Sequence, residues 1–151
     1  MRRLFPPLPS FLTLATLIGV AAVSWMPAVR PAMDGAGGCA VVRVVDGDTV
    51  DMTCPGEGRF RARLTGFDTP ESWNSGCPEE AALANAATQR LRALVRQARA
   101  VDASFGGLDR YDRRLVALSL DGQDVGAALI AEGLAVRYTG GPRIDWCARL
   151  S

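Results

Sequence analysis

A chain of 151 residues, 48% apolar and 22% charged, has room for one globular core and a short appendage, and excludes a second core. Its formal net charge of +1 excludes binding of nucleic acid by bulk basicity, and the absence of histidine and of any C-x-x-C pair excludes the usual zinc centres. All 17 basic residues are arginines, so every cationic role falls to a planar, permanently charged guanidinium.

Arg2 and Arg3 precede Phe11 to Val29, an apolar stretch without an ionisable residue. Residues 1–29 therefore read either as a signal peptide cleaved near Ala22 and Ser24, or as a membrane anchor, since the stretch approaches the roughly 20 residues that span a bilayer. Both readings put the rest outside the cytoplasm, secreted or periplasmic in the first case and tethered to the membrane in the second. Residues 30–38, rich in Pro, Gly and Ala, read as a linker, and residues 39–151 as the domain. Without residues 1–38, which hold three arginines and one aspartate, the domain has fourteen arginines against fifteen acids, so phosphate binding must be local.

Within the domain, Cys39 to Val45 and Asp48 to Thr53 read as two strands joined by the hairpin turn Asp46-Gly47. Pro55 to Gly58 breaks the second strand, and Arg59 to Thr65 alternates as a third, with Phe60, Ala62 and Leu64 on one face and three arginines on the other. Pro78 followed by Glu79 and Glu80 starts a long helix to about Gln97. Strands follow near Ala100 to Phe105 and Arg114 to Leu120, then a short helix from Val125 to Glu132 capped by Asp124, then a short extended piece from Leu134 to Tyr138. This order predicts an α+β fold that is mainly barrel: a five-stranded OB-type barrel carrying one long and one short helix.

The four cysteines allow three pairings, and four buried free thiols are the alternative. Counting outward from a two-residue turn at Asp46-Gly47 places Cys39 opposite Cys54, at a hydrogen-bonded position with alpha carbons ~5.5 Å apart. That favours Cys39–Cys54, leaving Cys77–Cys147.

Polar groups that such a fold does not need concentrate in four segments: Asp46-Gly47-Asp48-Thr49, Arg63, Asp68-Thr69-Pro70-Glu71, and Asp109 to Arg113. Taken singly these are turns and solvated loops. Taken together they suit hydrolysis of a phosphodiester, which needs an activated water, a hard cation near the phosphoryl oxygens, and positive charge that follows the developing anion. Asp48 and Asp68 are hard oxygen ligands suited to Ca²⁺. Glu71, three residues beyond Asp68, is placed to act as general base, and Arg63 and Arg113 offer forked donors to phosphate.

The pattern VVRVVDGDTVDM, then R-x4-DTPE from Arg63 to Glu71, then DRYDR ending at Arg113, resembles the thermonuclease (staphylococcal nuclease-like) family from about Val41 to Tyr138. The resemblance implies an OB-type barrel and a Ca²⁺-dependent nuclease that cuts DNA and RNA to 3′-phosphate and 5′-hydroxyl ends. It implies that Asp48, Asp68 and the Thr69 carbonyl hold calcium, that Glu71 orients or deprotonates the attacking water, and that Arg63 and Arg113 contact the scissile phosphate. Tyr111, with Arg110 beside it, would contact the nucleotide. Nucleic acid is thus the expected partner, with the chain itself monomeric. Three departures stand out: Asp112 replaces a frequent glycine, the segment Ser72 to Cys77 is short, and the family's C-terminal helix is nearly absent.

An EF-hand is excluded by the spacing of Asp46, Asp48 and Asp51 and by the lack of a closing glutamate. The alternative reading is a catalytically inactive OB-fold module of the envelope that binds nucleic acid or protein. Its aromatics are sparse for base stacking, and it has no use for three acids beside paired arginines. A structural envelope protein is the third reading, disfavoured because surface ion pairs contribute little stability.

Overall fold

The computed structural model describes residues 38–151, so the signal or anchor segment and nearly all of the linker lie outside the described residues. Strands β1 (Ala40–Val44), β2 (Thr49–Cys54) and β3 (Gly58–Leu64) form an antiparallel meander, and a short fourth strand, β4 (Gly66–Asp68), follows. Helix α1 (Pro78–Gln97) leads to β5 (Val101–Leu108) and β6 (Arg114–Leu120). After β7 (Gln123–Asp124) come α2 (Val125–Ala131), β8 (Val136–Tyr138) and α3 (Trp146–Leu150).

The barrel expected from the sequence is corrected by the pairing. The main sheet runs β1-β2-β3-β6-β5 with β7 on β6, while β4 and β8 form a separate two-stranded sheet. The sheet is mixed, because β3 and β6 run parallel, and among the described residues no pairing joins β5 back to β1. Both edges are poor partners: β1 is five residues long with a bulge between Val41 and Arg43, and β5 is irregular beyond Phe105 and exposed from Ser104 onward. Helix α1 lies against β1 instead, where Arg92 donates to the Val44 carbonyl at 3.5 Å. Among the described residues there are also three helices of uneven length rather than one long and one short.

A membrane tether among the partners is likewise corrected. Among the described residues no helix is long and apolar enough to cross a bilayer, and α1, the longest, carries Glu79, Glu80, Arg90, Arg92 and Arg96. The apolar stretch from Phe11 to Val29 is itself outside the described residues.

The core lies between the sheet and the helices, with Val50, Met52, Ala62, Leu64, Leu91, Val116 and Leu129 all but sealed from solvent. Burial of these side chains supplies the main driving force, at about 25 cal/mol per Å² of apolar surface. Gly126 at the start of α2 lets that helix sit directly on Phe67, because an added Cβ would lie 2.4 Å from the Phe67 ring. Phe67 is therefore clamped, and with it β4, whose last residue is Asp68.

Two disulfides, Cys39–Cys54 and Cys77–Cys147, close the ends of the domain, and among the described residues no cysteine is free. The β1–β2 connection is a three-residue loop, with Val45 and Asp46 both donating to the Thr49 carbonyl, and not the two-residue turn expected. The extra loop residue is offset by the bulge at Val42, so Cys39 and Cys54 still face each other. Their alpha carbons are 4.1 Å apart, the close spacing of a non-hydrogen-bonded pair rather than the wider one.

Candidate active site

The three-residue loop takes Asp48 out of the strand and turns its carboxylate inward, where the residue is 4% exposed. Register then gathers the neighbours. Thr49 pairs with Arg63 across β2 and β3, and Arg63 pairs with Leu115 across the parallel β3–β6 contact, which brings Arg113 to the same end of the sheet. The Leu64 amide donates to the Asp48 carbonyl at 2.7 Å and locks the loop to β3.

Asp68, wholly buried, lies beneath this group at the end of β4. The Arg63 guanidinium bridges the two aspartates: one nitrogen contacts Asp48 Oδ2, and the other donates to Asp68 Oδ1 at 3.0 Å. Thr69 Oγ1 and Thr49 Oγ1 donate to the two Asp48 oxygens at 3.0 and 3.1 Å. Burial pushes the Arg63 guanidinium below its ordinary value, and the adjacent Asp68 pulls it back up. Arginine's ordinary value is so high that the group stays charged.

Glu71 begins the short loop to α1. Its backbone amide and that of Gly76 donate to the buried Glu80 carboxylate at 3.1 and 2.7 Å, so the loop is clamped onto the first turn of the helix. Cys77, the residue before α1, ties the same loop to α3. Glu80 and the sulfurs of Cys77 and Cys147 are close together, but the sulfurs are bonded to each other and offer no thiolate to a metal.

On the opposite wall, Asp109 organises the loop between β5 and β6. Its Oδ1 accepts from the Tyr111 and Arg113 amides at 2.8 and 3.0 Å, and its Oδ2 takes the Arg113 fork at 2.7 Å. Burial pushes the Asp109 carboxyl up, but these hydrogen bonds outweigh it and hold it below the usual carboxylate range. Asp112 has φ +57, the left-handed conformation that glycine favours and aspartate tolerates. Asp112 thus takes the conformation open to glycine at this turn, and its amide donates to the Asp109 carbonyl at 3.1 Å. Tyr111 is 63% exposed, with the Arg110 and Arg113 guanidinium carbons 4.7 and 5.5 Å from its ring centre.

One cavity of about 820 Å³ joins these walls. Of the residues singled out in the sequence, Asp48, Arg63, Thr69, Glu71, Arg110, Tyr111 and Arg113 line it, while Asp68 lies behind the lining and touches it through Arg63. Among the other lining residues, Asp46 and Arg143 carry charge and have no role in the site assigned from the sequence. Asp46 accepts from the Asp48 amide at 3.1 Å, and burial raises its carboxyl against the pull of Thr49, Arg63 and Arg113. Arg143 reaches in from the C-terminal loop: one nitrogen donates to Asp68 Oδ1 at 2.8 Å and to the Thr69 carbonyl at 3.0 Å, while the other contacts Glu71. Trp146, at the start of α3, is 4% exposed, with its indole N–H 3.4 Å from Asp68 Oδ2.

The oxygen donors fit the hard cation that the sequence suggests. Asp48 and Asp68 are close enough for one guanidinium to span both, and Asp68 Oδ1 and the Thr69 carbonyl are close enough to share a single nitrogen. Carboxylate and carbonyl oxygens so grouped are the ligand types of calcium, with waters completing its shell.

Buried acids and forked arginines thus surround one polar cavity. The model of the family described as staphylococcal nuclease homologue matches residues 61–145, and the chain belongs to that family. The match starts beyond Asp48, which joins the site through the β1–β2 loop rather than through the matched segment. The chain is also similar to a protein of Haemophilus influenzae described as an uncharacterized endonuclease, with 29% identity over 101 residues. That alignment covers 66% of this chain and 52% of the relative, so the chain spans about half the length of the protein it matches.

Proposed function

We propose that this protein is a calcium-dependent phosphodiesterase that cleaves DNA or RNA in the cavity between the β1–β2 loop, the Glu71 loop and the Asp109 loop. The observation that carries this reading is the convergence of four sequence-distant segments on one cavity, with Asp48, Thr69, Glu71, Arg63 and Arg113 on its walls and Asp68 directly behind Arg63. Stability alone gives no reason to collect partly buried arginines there, because burying charges costs several kcal/mol per ion.

In this reading Asp48, Asp68 and the Thr69 carbonyl hold calcium, which when bound neutralises phosphoryl oxygens and helps to fix the attacking water. Arg63 and Arg113 present two-pronged donors to the scissile phosphate and stabilise its pentavalent transition state. Arg113 has to leave Asp109, and Arg63 has to relax its hold on Asp48 and Asp68, so phosphate replaces carboxylate as their partner. Glu71 takes the proton of the attacking water, whose oxygen bonds to phosphorus as the bond to the 5′ oxygen breaks; that oxygen takes up a proton from solvent, leaving a 3′-phosphate and a 5′-hydroxyl. The exposed ring of Tyr111, with Arg110 against it, offers a face to sugar or base. The two disulfides support a working location outside the reducing cytoplasm, secreted or periplasmic.

The test is release of acid-soluble nucleotides from DNA and RNA by the oxidised full-length chain, with calcium and with a chelator. Activity that needs calcium and is lost in Glu71→Gln and Arg63→Ala, while circular dichroism is retained, supports catalysis. Binding without cutting, insensitive to chelator, would make the protein an inactive nucleic-acid-binding module instead.

A further inference from the structure

We infer that Arg143 is a built-in counter-cation of the metal site: its guanidinium occupies the acceptors assigned above to calcium and must be displaced when the ion binds. The inference rests on that assignment of Asp48, Asp68 and the Thr69 carbonyl, and adds a residue that opposes the ion.

The geometry makes the two occupants mutually exclusive. One Arg143 nitrogen stands 2.8 Å from Asp68 Oδ1 and 3.0 Å from the Thr69 carbonyl, at the point where those two oxygens converge. An ion bound at roughly 2.3–2.6 Å from the same oxygens would take up that volume, and its double positive charge would repel the guanidinium. The other Arg143 nitrogen is paired with Glu71, so the same side chain also neutralises the proposed base. With Arg143 in place, Asp68 has Arg63, Arg143 and Trp146 as donors, which satisfies a carboxylate that solvent does not reach.

Arg143 is mounted so that its side chain can leave while its backbone stays. Gly140 and Gly141, at φ +110 and +97, shape the turn before it, and the Gly141 carbonyl accepts from the Tyr138 hydroxyl at 2.6 Å. Beyond it, Asp145 caps α3 by accepting from the Ala148 amide at 2.9 Å, and Cys147 fastens that helix to the Glu71 loop. The Arg143 side chain is 39% exposed, against 14% for Arg63 and 28% for Arg113, so it has the easiest path outward of the three. The site thus keeps its shape without the ion at the expense of affinity for it, because only the fraction of molecules with Arg143 withdrawn can bind.

Calorimetric titration of calcium chloride into metal-free, oxidised full-length protein tests this, comparing wild type with Arg143→Gln and Arg143→Lys at equal ionic strength. Arg143→Gln is expected to melt at a lower temperature without calcium and to bind the ion roughly tenfold or more tightly. Arg143→Lys, which keeps the charge but loses the fork, is expected to fall between. A merely structural role would lower the melting temperature and leave or weaken the affinity, so a folded Arg143→Gln with unchanged or poorer calcium binding overturns the inference. Should that variant not fold, the wild-type Arg143 side-chain N–H resonance decides: protection from solvent exchange that is lost on adding calcium supports displacement, and protection that persists refutes it. Calcium binding to neither wild type nor any folded variant removes the calcium assignment itself, and this inference with it. Equal binding to all removes this inference alone.

Discussion

Replacing Gly47 with alanine puts the packing of the β1–β2 loop against the Asp68–Glu71 segment to a quantitative test. A Cβ built at Gly47 would stand 2.8 Å from Thr69 Oγ1 and 3.0 Å from both Thr69 Cβ and Cγ2. Thr69 is 2% exposed and its hydroxyl donates to Asp48, so the clash cannot be relieved into solvent and reaches the site directly. Overpacking of this kind costs about 1–3 kcal/mol. Thr69→Ala alone removes one hydrogen bond, for about 1 kcal/mol, since Asp48 keeps Arg63 and Thr49 as donors. In the double variant two of the three clashing atoms are gone, so the combined loss is expected to fall short of the sum by about 0.5 kcal/mol or more. Urea unfolding of the oxidised protein, followed by circular dichroism and tryptophan fluorescence, measures all four corners of the cycle. Strict additivity, or a Gly47→Ala variant as stable as wild type, would show that the two segments do not meet as described.

Arg113→Lys is expected to lower kcat/KM roughly a hundredfold, because a point charge cannot reproduce the fork; near-normal turnover would remove Arg113 from the reaction. Serine at both Cys77 and Cys147 is expected to cost about 4 kcal/mol, against about 3 kcal/mol for the Cys39–Cys54 pair, on sequence separations of 70 and 15 residues. A larger loss from the shorter bridge, in denaturant melts of the two double variants, would contradict that ranking. Asp51 sits between Arg43 and Arg61 in cross-strand register, and hydrogen bonds from Arg61 and then Arg43 outweigh its burial and hold its carboxyl below the usual range. A depressed folded value means stability that is present above the unfolded pKa of about 4 and lost as pH falls through the folded value. Asp51→Asn should therefore be less stable than wild type at pH 7, by roughly 0.2–1 kcal/mol per pair, and the gap should close on acidification; a gap that widens toward pH 3 would refute the assignment.

Local pattern made the meander, α1 and α2 legible, because alternation in β3, the Pro78-Glu79-Glu80 start and the Asp124 cap are signals carried by neighbours in sequence. The pairing of Cys39 with Cys54 followed from counting outward along the hairpin, although one extra loop residue and one bulge had to compensate each other. Openness of the sheet was not legible, since it depends on whether β1 and β5, more than fifty residues apart, find each other. The parallel β3–β6 contact that brings Arg63 beside Arg113 is non-local in the same way. Short elements such as β4, β7 and α3 carry too few residues for any period, and depend on tertiary anchors: Phe67 under Gly126 for β4, and Trp146 and Cys147 for α3. Arg143 lay within reach of inference all the same. Pairing Cys77 with Cys147 brings the chain four residues before one cysteine close to the chain six residues before the other, and those residues are Arg143 and Glu71.

The reaction itself is tested most directly with an end-labelled oligonucleotide and metal-free, oxidised full-length protein titrated with calcium. Fragments ending in 3′-phosphate are expected to appear only as calcium is added and to be missing in Glu71→Gln. Cleavage that proceeds without calcium or without the Glu71 carboxylate, or an intact oligonucleotide after incubation with folded, calcium-saturated protein, would contradict this mechanism.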